Sequence, residues 1–163
     1  MKIHELHREL WLPRPLDEVF PFFADAGNLE LLTPPWMHFH VLTPRPIEMR
    51  TSALIDYRLR VHGLPLRWRS EITTWDPPHR FVDEQRRGPY RLWHHEHSFE
   101  PRDGGTLCRD NVRYAVPFDF FSHRLFVRPD IERIFAFRER KMRELFPVNP
   151  ATDLHSLSAF ILN

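Results

Sequence analysis

Between residues 36 and 115 apolar side chains recur at about every second position, and five breaks bearing proline or glycine cut the run into short pieces. A period of two marks strands with one buried face, and breaks at this spacing are those of an antiparallel sheet. The breaks are Pro44 to Pro46, His62-Gly63-Leu64-Pro65, Asp76-Pro77-Pro78-His79, Gly88-Pro89 and Pro101-Arg102-Asp103-Gly104-Gly105, all rich in residues that tolerate turn geometry. They predict strands near 36–44, 51–61, 66–75, 80–87, 90–100 and 105–115. Proline is present 16 times, roughly twice its usual share of about 5%. It falls in clusters between apolar segments and so punctuates short elements.

The flanks read differently. Ile3 to Leu12 predicts a first strand, with Leu6, Leu10 and Leu12 on one parity and Glu5 and Glu9 on the other. Pro13 and Pro15 end it. Leu16 to Phe20 then begins a short helix whose acids sit in the first turn, where the helix dipole favours them. Pro21 keeps this from being a long regular helix, and Phe22 to Leu32 continues as a second short helical piece, with Asp25, Gly27 and Asn28 as break points and Thr33-Pro34-Pro35 as its stop. After Pro117 the period returns to 3.6, with Ile131, Ile134, Phe135, Arg138, Met142 and Leu145 in one stripe and Glu132, Arg133, Glu139, Arg140 and Arg143 opposite. The stretch Phe120 to Val127 reads as an earlier turn or a kinked first part of this helix, because Pro129 restricts Arg128. The expectation is one domain over 1–146 and a tail over 147–163, whose apolar group Leu157, Phe160, Ile161 and Leu162 has no evident place in it.

A chain of 163 residues suffices for one core without disulfide or metal staples. Lys+Arg 23 against Asp+Glu 22 gives a net charge of +1, which provides no basic footprint for nucleic acid. The single cysteine, Cys108, excludes an internal disulfide; with an N-terminus lacking an apolar signal run, it points to a cytoplasmic protein. No apolar stretch reaches the roughly 18 to 20 residues that span a bilayer. The 14 phenylalanines outnumber 3 tyrosines, and such bulk must be buried or line a pocket.

A strand, two short helices, six more strands and a long helix make an α+β arrangement in which a curved seven-stranded antiparallel sheet grips the C-terminal helix. The sequence resembles the START-like, Bet v 1-like helix-grip superfamily, also called SRPBCC or polyketide cyclase/dehydrase-like. The resemblance rests on Pro15 to Phe20, Asn28 to Trp36, Trp75 to Phe81 and Trp93-His94-His95-Glu96-His97-Ser98-Phe99. It continues in Gly104-Gly105-Thr106 with Asp110, Val112 and Tyr114, and in Phe135 to Arg138, so that it covers roughly 3–146. It implies a deep, largely apolar cavity between sheet and helix, used across the superfamily for lipids, polyketides and other hydrophobic molecules. It does not imply one reaction, because members include carriers, receptors, cyclases and protein-binding modules.

The residues suggest where chemistry would sit. A turn centred on Asp103 and Gly104 is expected to set Phe99 opposite Thr106, His97 opposite Cys108 and His95 opposite Asp110. Trp93, His95, His97 and Phe99 then share a face with Thr106, Cys108, Asp110, Val112 and Tyr114, the more apolar of the two. If that face meets the cavity, His95 and His97 lie in an aromatic wall with Asp110 within reach, as a general acid/base or a ligand anchor requires. The alternative is a satisfied core polar pair. Tyr57, alternating with Ile55 and Leu59, is a further cavity candidate, and so is Phe135. Arg138 interrupts the apolar stripe and either reaches an acidic ligand group or lays its stem on the core with its head in solvent. Cys108 reads as a buried thiol rather than a nucleophile. His95-x-His97 and His38-x-His40 each place two rings on one strand face, but no third ligand shows at a defined spacing, so neither metal nor cofactor is expected.

Three functions follow. The first is binding of a small hydrophobic molecule, a lipid or a polyketide-like or aromatic compound. The second is a cyclase or dehydratase using His95, His97 and Asp110 for proton transfer. The third is a protein-interaction module, in which the apolar tail docks on a partner or in a homodimer.

Overall fold

The fold is built on pairing of neighbours in sequence, with one exception that closes it. In the computed structural model, which describes residues 1–117 and 123–148, the seven strands form a single sheet in the order β1-β7-β6-β5-β4-β3-β2. These are β1 (His4–Leu12), β2 (His40–Val41), β3 (Leu54–Val61), β4 (Leu64–Asp76), β5 (Arg80–Arg87), β6 (Leu92–Arg102) and β7 (Gly105–Ala115). All pairs are antiparallel, and the exception is β1, which lies beside β7 with His4 opposite Tyr114 and Leu12 opposite Thr106. Register shifts between β4 and β5, at Arg69/Ser70 and Ile72/Thr74, are irregularities of the kind that bend a strand and increase its twist.

Two tight hairpins explain the long strands. His62-Gly63 and Asp103-Gly104 each place two successive residues at positive φ, the geometry whose twist matches that of the flanking strands. The second turn sets the β6–β7 register: Arg102 pairs with Gly105, so Phe99 faces Cys108, His97 faces Asp110 and His95 faces Val112. The expected register is therefore off by two residues. A slip of two preserves the face of every side chain, and the expected parity stands.

Two other expectations are corrected. The segment 36–44 is mostly not strand: Pro35–Met37 is a 3₁₀ turn closed by His38 at positive φ, and only His40–Val41 pairs with β3. The first helix is short, as expected, but its end lies past Pro21 rather than at it: α1 runs over Leu16–Ala24 with Pro21 inside it and Val19 and Phe20 buried. In so short a helix the proline removes one backbone hydrogen bond, which packing of the two buried side chains offsets. A 3₁₀ turn at Ala26–Asn28 follows, where the Asp25 carboxylate accepts from the Gly27 N–H at 2.8 Å, and α2 covers Leu29–Leu32.

The last helix, α3 (Arg128–Leu145), follows a wide turn at His123–Val127, with Pro129 in its first turn, where a missing N–H costs nothing. Residues 118–122 and the tail from 149 onward, with Leu157, Phe160, Ile161 and Leu162, lie outside the described residues. Among the described residues no helix is long and apolar enough to cross a membrane.

The core is divided. One cluster gathers Leu12, Val19, Phe20, Ile72, Phe99 and Met142; a second holds Val112, Tyr114, Val116, Ile131 and Phe135. The helix α3 packs through Ile131, Phe135 and Met142, its three buried side chains, the first two in the second cluster and Met142 in the first.

Candidate functional site

A cavity of about 630 Å³ lies between the sheet and α3, with walls drawn from both clusters. Most of its lining is apolar, from Phe22, Leu32, Met37, Ile55, Trp68 and Trp93 among others. At its rim His62 in the β3–β4 turn meets Asp130 in the first turn of α3, with Nε2 to Oδ2 at 2.6 Å.

One wall is polar. His95 and His97, two apart on β6, point the same way, and their ring centroids stand 3.8 Å apart. Both are buried, at 4% exposure each. Asp83 on β5 pairs opposite His95 in the strand register, and its Oδ2 lies 3.1 Å from His97 Nε2 and 3.5 Å from His95 Nδ1. Its other oxygen accepts from the Ser70 hydroxyl at 3.4 Å, and Ser70 accepts from the Trp68 indole at 3.1 Å. Behind the rings, Asp110 Oδ1 accepts from His95 Nε2 at 2.9 Å. The same oxygen lies 2.8 Å from His97 Nδ1, but off the direction a hydrogen bond needs, so that contact is one of charge.

The electrostatics follow. Burial holds His95 below the usual imidazole value, the neighbouring His97 adds to this, and Asp110 and Asp83 only partly offset it. Burial also acts to lower His97, but its contacts with Asp110 and Asp83 reverse the balance and raise it. Burial would raise Asp110, yet Arg138 and the two histidines keep it well below the usual carboxylate range. Asp83 is lowered too: burial opposes this, and the His97 hydrogen bond with the charges of His95, His97 and Arg138 prevails. The wall thus sets two carboxylates against the Arg138 guanidinium, and of the two imidazoles His97 is the one that holds a proton more readily.

Of the sequence-derived candidates, Tyr57, Trp93, His95, His97, Phe135 and Arg138 line the cavity. Phe99 does not, because Phe20, Phe23 and Phe81 surround it. Tyr114 packs in the second cluster and its hydroxyl meets His123 Nε2 at 3.0 Å. Asp110 stands behind the histidines rather than on the cavity wall. Asp83 was missed, although it shares the parity of buried Phe81 on its strand. Ser70 and Trp68 likewise share the inward parity of β4 with buried Ile72. Cys108 is buried, and burial pushes its thiol up to about 12, too high for a nucleophile at neutral pH.

A family model described as polyketide cyclase / dehydrase and lipid transport matches residues 12–142. No curated protein matches the chain by sequence. The crystal structure of the Zhui aromatase/cyclase from Streptomyces sp. R1128 superposes with a TM-score of 0.72 at 16% identity, over 92% of this chain and 98% of that one. Ginseng major latex-like protein 151 from Panax ginseng gives 0.67 at 9% identity, over 89% and 98%. A point mutant of norcoclaurine synthase from Thalictrum flavum, in complex with a transition state analogue, gives 0.63 at 12% identity, over 88% and 96%. At these identities the likeness is one of fold.

Proposed function

Because the chain belongs to the polyketide cyclase / dehydrase and lipid transport family, we propose that its domain, residues 1–146, takes up a small hydrophobic molecule, aromatic or polyketide-like, between the sheet and α3. The observation that carries this is the hollow itself. A volume of about 630 Å³ falls within the range of roughly 300–1,000 Å³ typical of small-molecule sites. Its aromatic walls provide affinity, and the polar wall of Asp83, His95, His97 and Arg138 orients an oxygen-bearing guest, Arg138 favouring an acidic group.

The test is a series of para-alkylphenols titrated into the protein and followed by calorimetry. Affinity is expected to rise by about fourfold per added methylene, from about 0.8 kcal/mol per buried CH₂, until the cavity is filled. Affinity independent of chain length would overturn the proposal.

A second reading is favoured by the histidine pair: a cyclase or dehydratase in which neutral His95 accepts a proton and charged His97 donates one. Two structural neighbours are named as enzymes, an aromatase/cyclase and a synthase. On this reading His97→Gln abolishes turnover of a poly-β-ketone substrate, while alkylphenols still bind with the same dependence on chain length; equal turnover by the variant would dismiss it.

A further inference from the structure

The histidine pair of β6 shows no third metal ligand at any sequence spacing, and the sheet supplies one from the next strand. Asp83 Oδ2 lies 3.1 Å from His97 Nε2 and 3.5 Å from His95 Nδ1, and the three donor atoms all fall within 4.8 Å of one another. Ligand atoms about 2.05 Å from a tetrahedral ion stand about 3.3 Å apart, so both separations match to within about 0.2 Å.

The rear of the site is arranged for the same purpose. The opposite nitrogens of both rings converge on one oxygen, Asp110 Oδ1, at 2.9 and 2.8 Å. A carboxylate behind a ligating imidazole fixes the tautomer and turns the free lone pair forward. Here Asp110 accepts from His95 Nε2 and so turns His95 Nδ1 toward Asp83, while His97 Nδ1 is held at the same oxygen by charge, which leaves His97 Nε2 facing Asp83. Asp83, His95 and His97 line the cavity and Asp110 does not.

We propose that Asp83, His95 and His97 bind a divalent transition-metal ion of the zinc class, backed by Asp110, with a remaining coordination position open to the cavity. Two imidazoles and one carboxylate suit such an ion better than calcium or magnesium, which prefer oxygen ligands. With both rings neutral, the ion, two carboxylates and Arg138 sum to one positive charge, so the open position favours an anionic oxygen such as an enolate or carboxylate. The ion site rests on side-chain geometry alone; only the guest's oxygen at the open position rests on the hydrophobic-guest reading.

The test uses the untagged full chain, stripped with a chelator, dialysed and titrated with cobalt(II) as a spectroscopic probe for zinc(II). The expected result is one cobalt per chain with the intense visible bands of a four-coordinate ion, displaced by one equivalent of zinc(II). A protein carrying His38→Ala and His40→Ala, which removes the other His-x-His pair, keeps the bands, whereas His97→Ala loses them. Asp110→Asn weakens zinc affinity by about 10–100-fold.

The proposal is overturned if the unmodified chain gives no bands at one equivalent or only the faint spectrum of a six-coordinate ion, or if His97→Ala retains them. Alkylphenol titration of the same stripped protein separates the two proposals. Uptake of phenols without cobalt binding defeats the metal site alone; cobalt binding without phenol uptake defeats the guest reading alone.

Discussion

Two isoleucines on α3, three residues apart, measure whether the core is hollow. Ile131 is 2% exposed and packs with Val112, Tyr114, Val116 and Phe135. Ile134 is half-buried, lines the cavity and belongs to neither cluster. Truncating a packed isoleucine to alanine removes transfer energy and leaves a void, at a cost of about 2–5 kcal/mol. Ile134 already faces a void, so Ile134→Ala forfeits only partial burial, roughly 1 kcal/mol. Alanine's better helix propensity returns roughly 0.4 kcal/mol of that. That return is common to both helical positions, so the two variants should differ by about 1–4 kcal/mol in urea unfolding of the guest-free protein. At roughly 2–4 °C per kcal/mol for a chain of this size, this is a gap of about 2–16 °C in Tm. Equal losses for Ile131→Ala and Ile134→Ala would refute the reasoning, since they would mean that Ile134 is packed and the sheet has closed onto the helix.

Other outcomes follow from single contacts. Burial keeps the Cys108 thiol protonated with its pKa pushed up to about 12, so the alkylation rate of the native chain should keep climbing beyond pH 9, where a free thiol has levelled off. A native rate that plateaus near pH 9 would show that the thiol is exposed. The contact of His62 with Asp130 bridges the rim of the cavity, so Asp130→Ala should speed guest dissociation in stopped-flow measurements. Its stability in urea should change by less than about 1 kcal/mol, because the pair is partly exposed; unchanged dissociation would separate the rim from guest exchange.

Much of the architecture was legible because it follows from local chemistry. Turn residues bounded the strands, and the stripe on α3 named Ile131, Phe135 and Met142, which are its buried residues. What failed lay in how strands pair. The tip at Asp103-Gly104 was expected and is found, but a two-residue tip there pairs Arg102 with Gly105 and, counted outward, Phe99 with Cys108; the expected pairs belong to a tip one residue earlier, and this displaced the β6–β7 register by two. Asp83 was invisible for a related reason: its partnership with the histidines exists only through the β5–β6 pairing, which no spacing within one strand encodes. Phe99 and Tyr114 share a face with His95, yet that face serves both packed core and open cavity; which part a residue meets depends on where α3 presses.

The placement of β1 beside β7 has a consequence for synthesis on the ribosome. Leu12 finds its partner Thr106 only after about ninety more residues have been made, a delay of roughly 5–20 s at ordinary elongation rates. Throughout that interval the N-terminal segment is an orphan ribbon with bare hydrogen-bonding groups, the kind of surface that recruits other nascent chains. Glu5, Arg8 and Glu9, spaced along it with both signs of charge, act as guards during the wait.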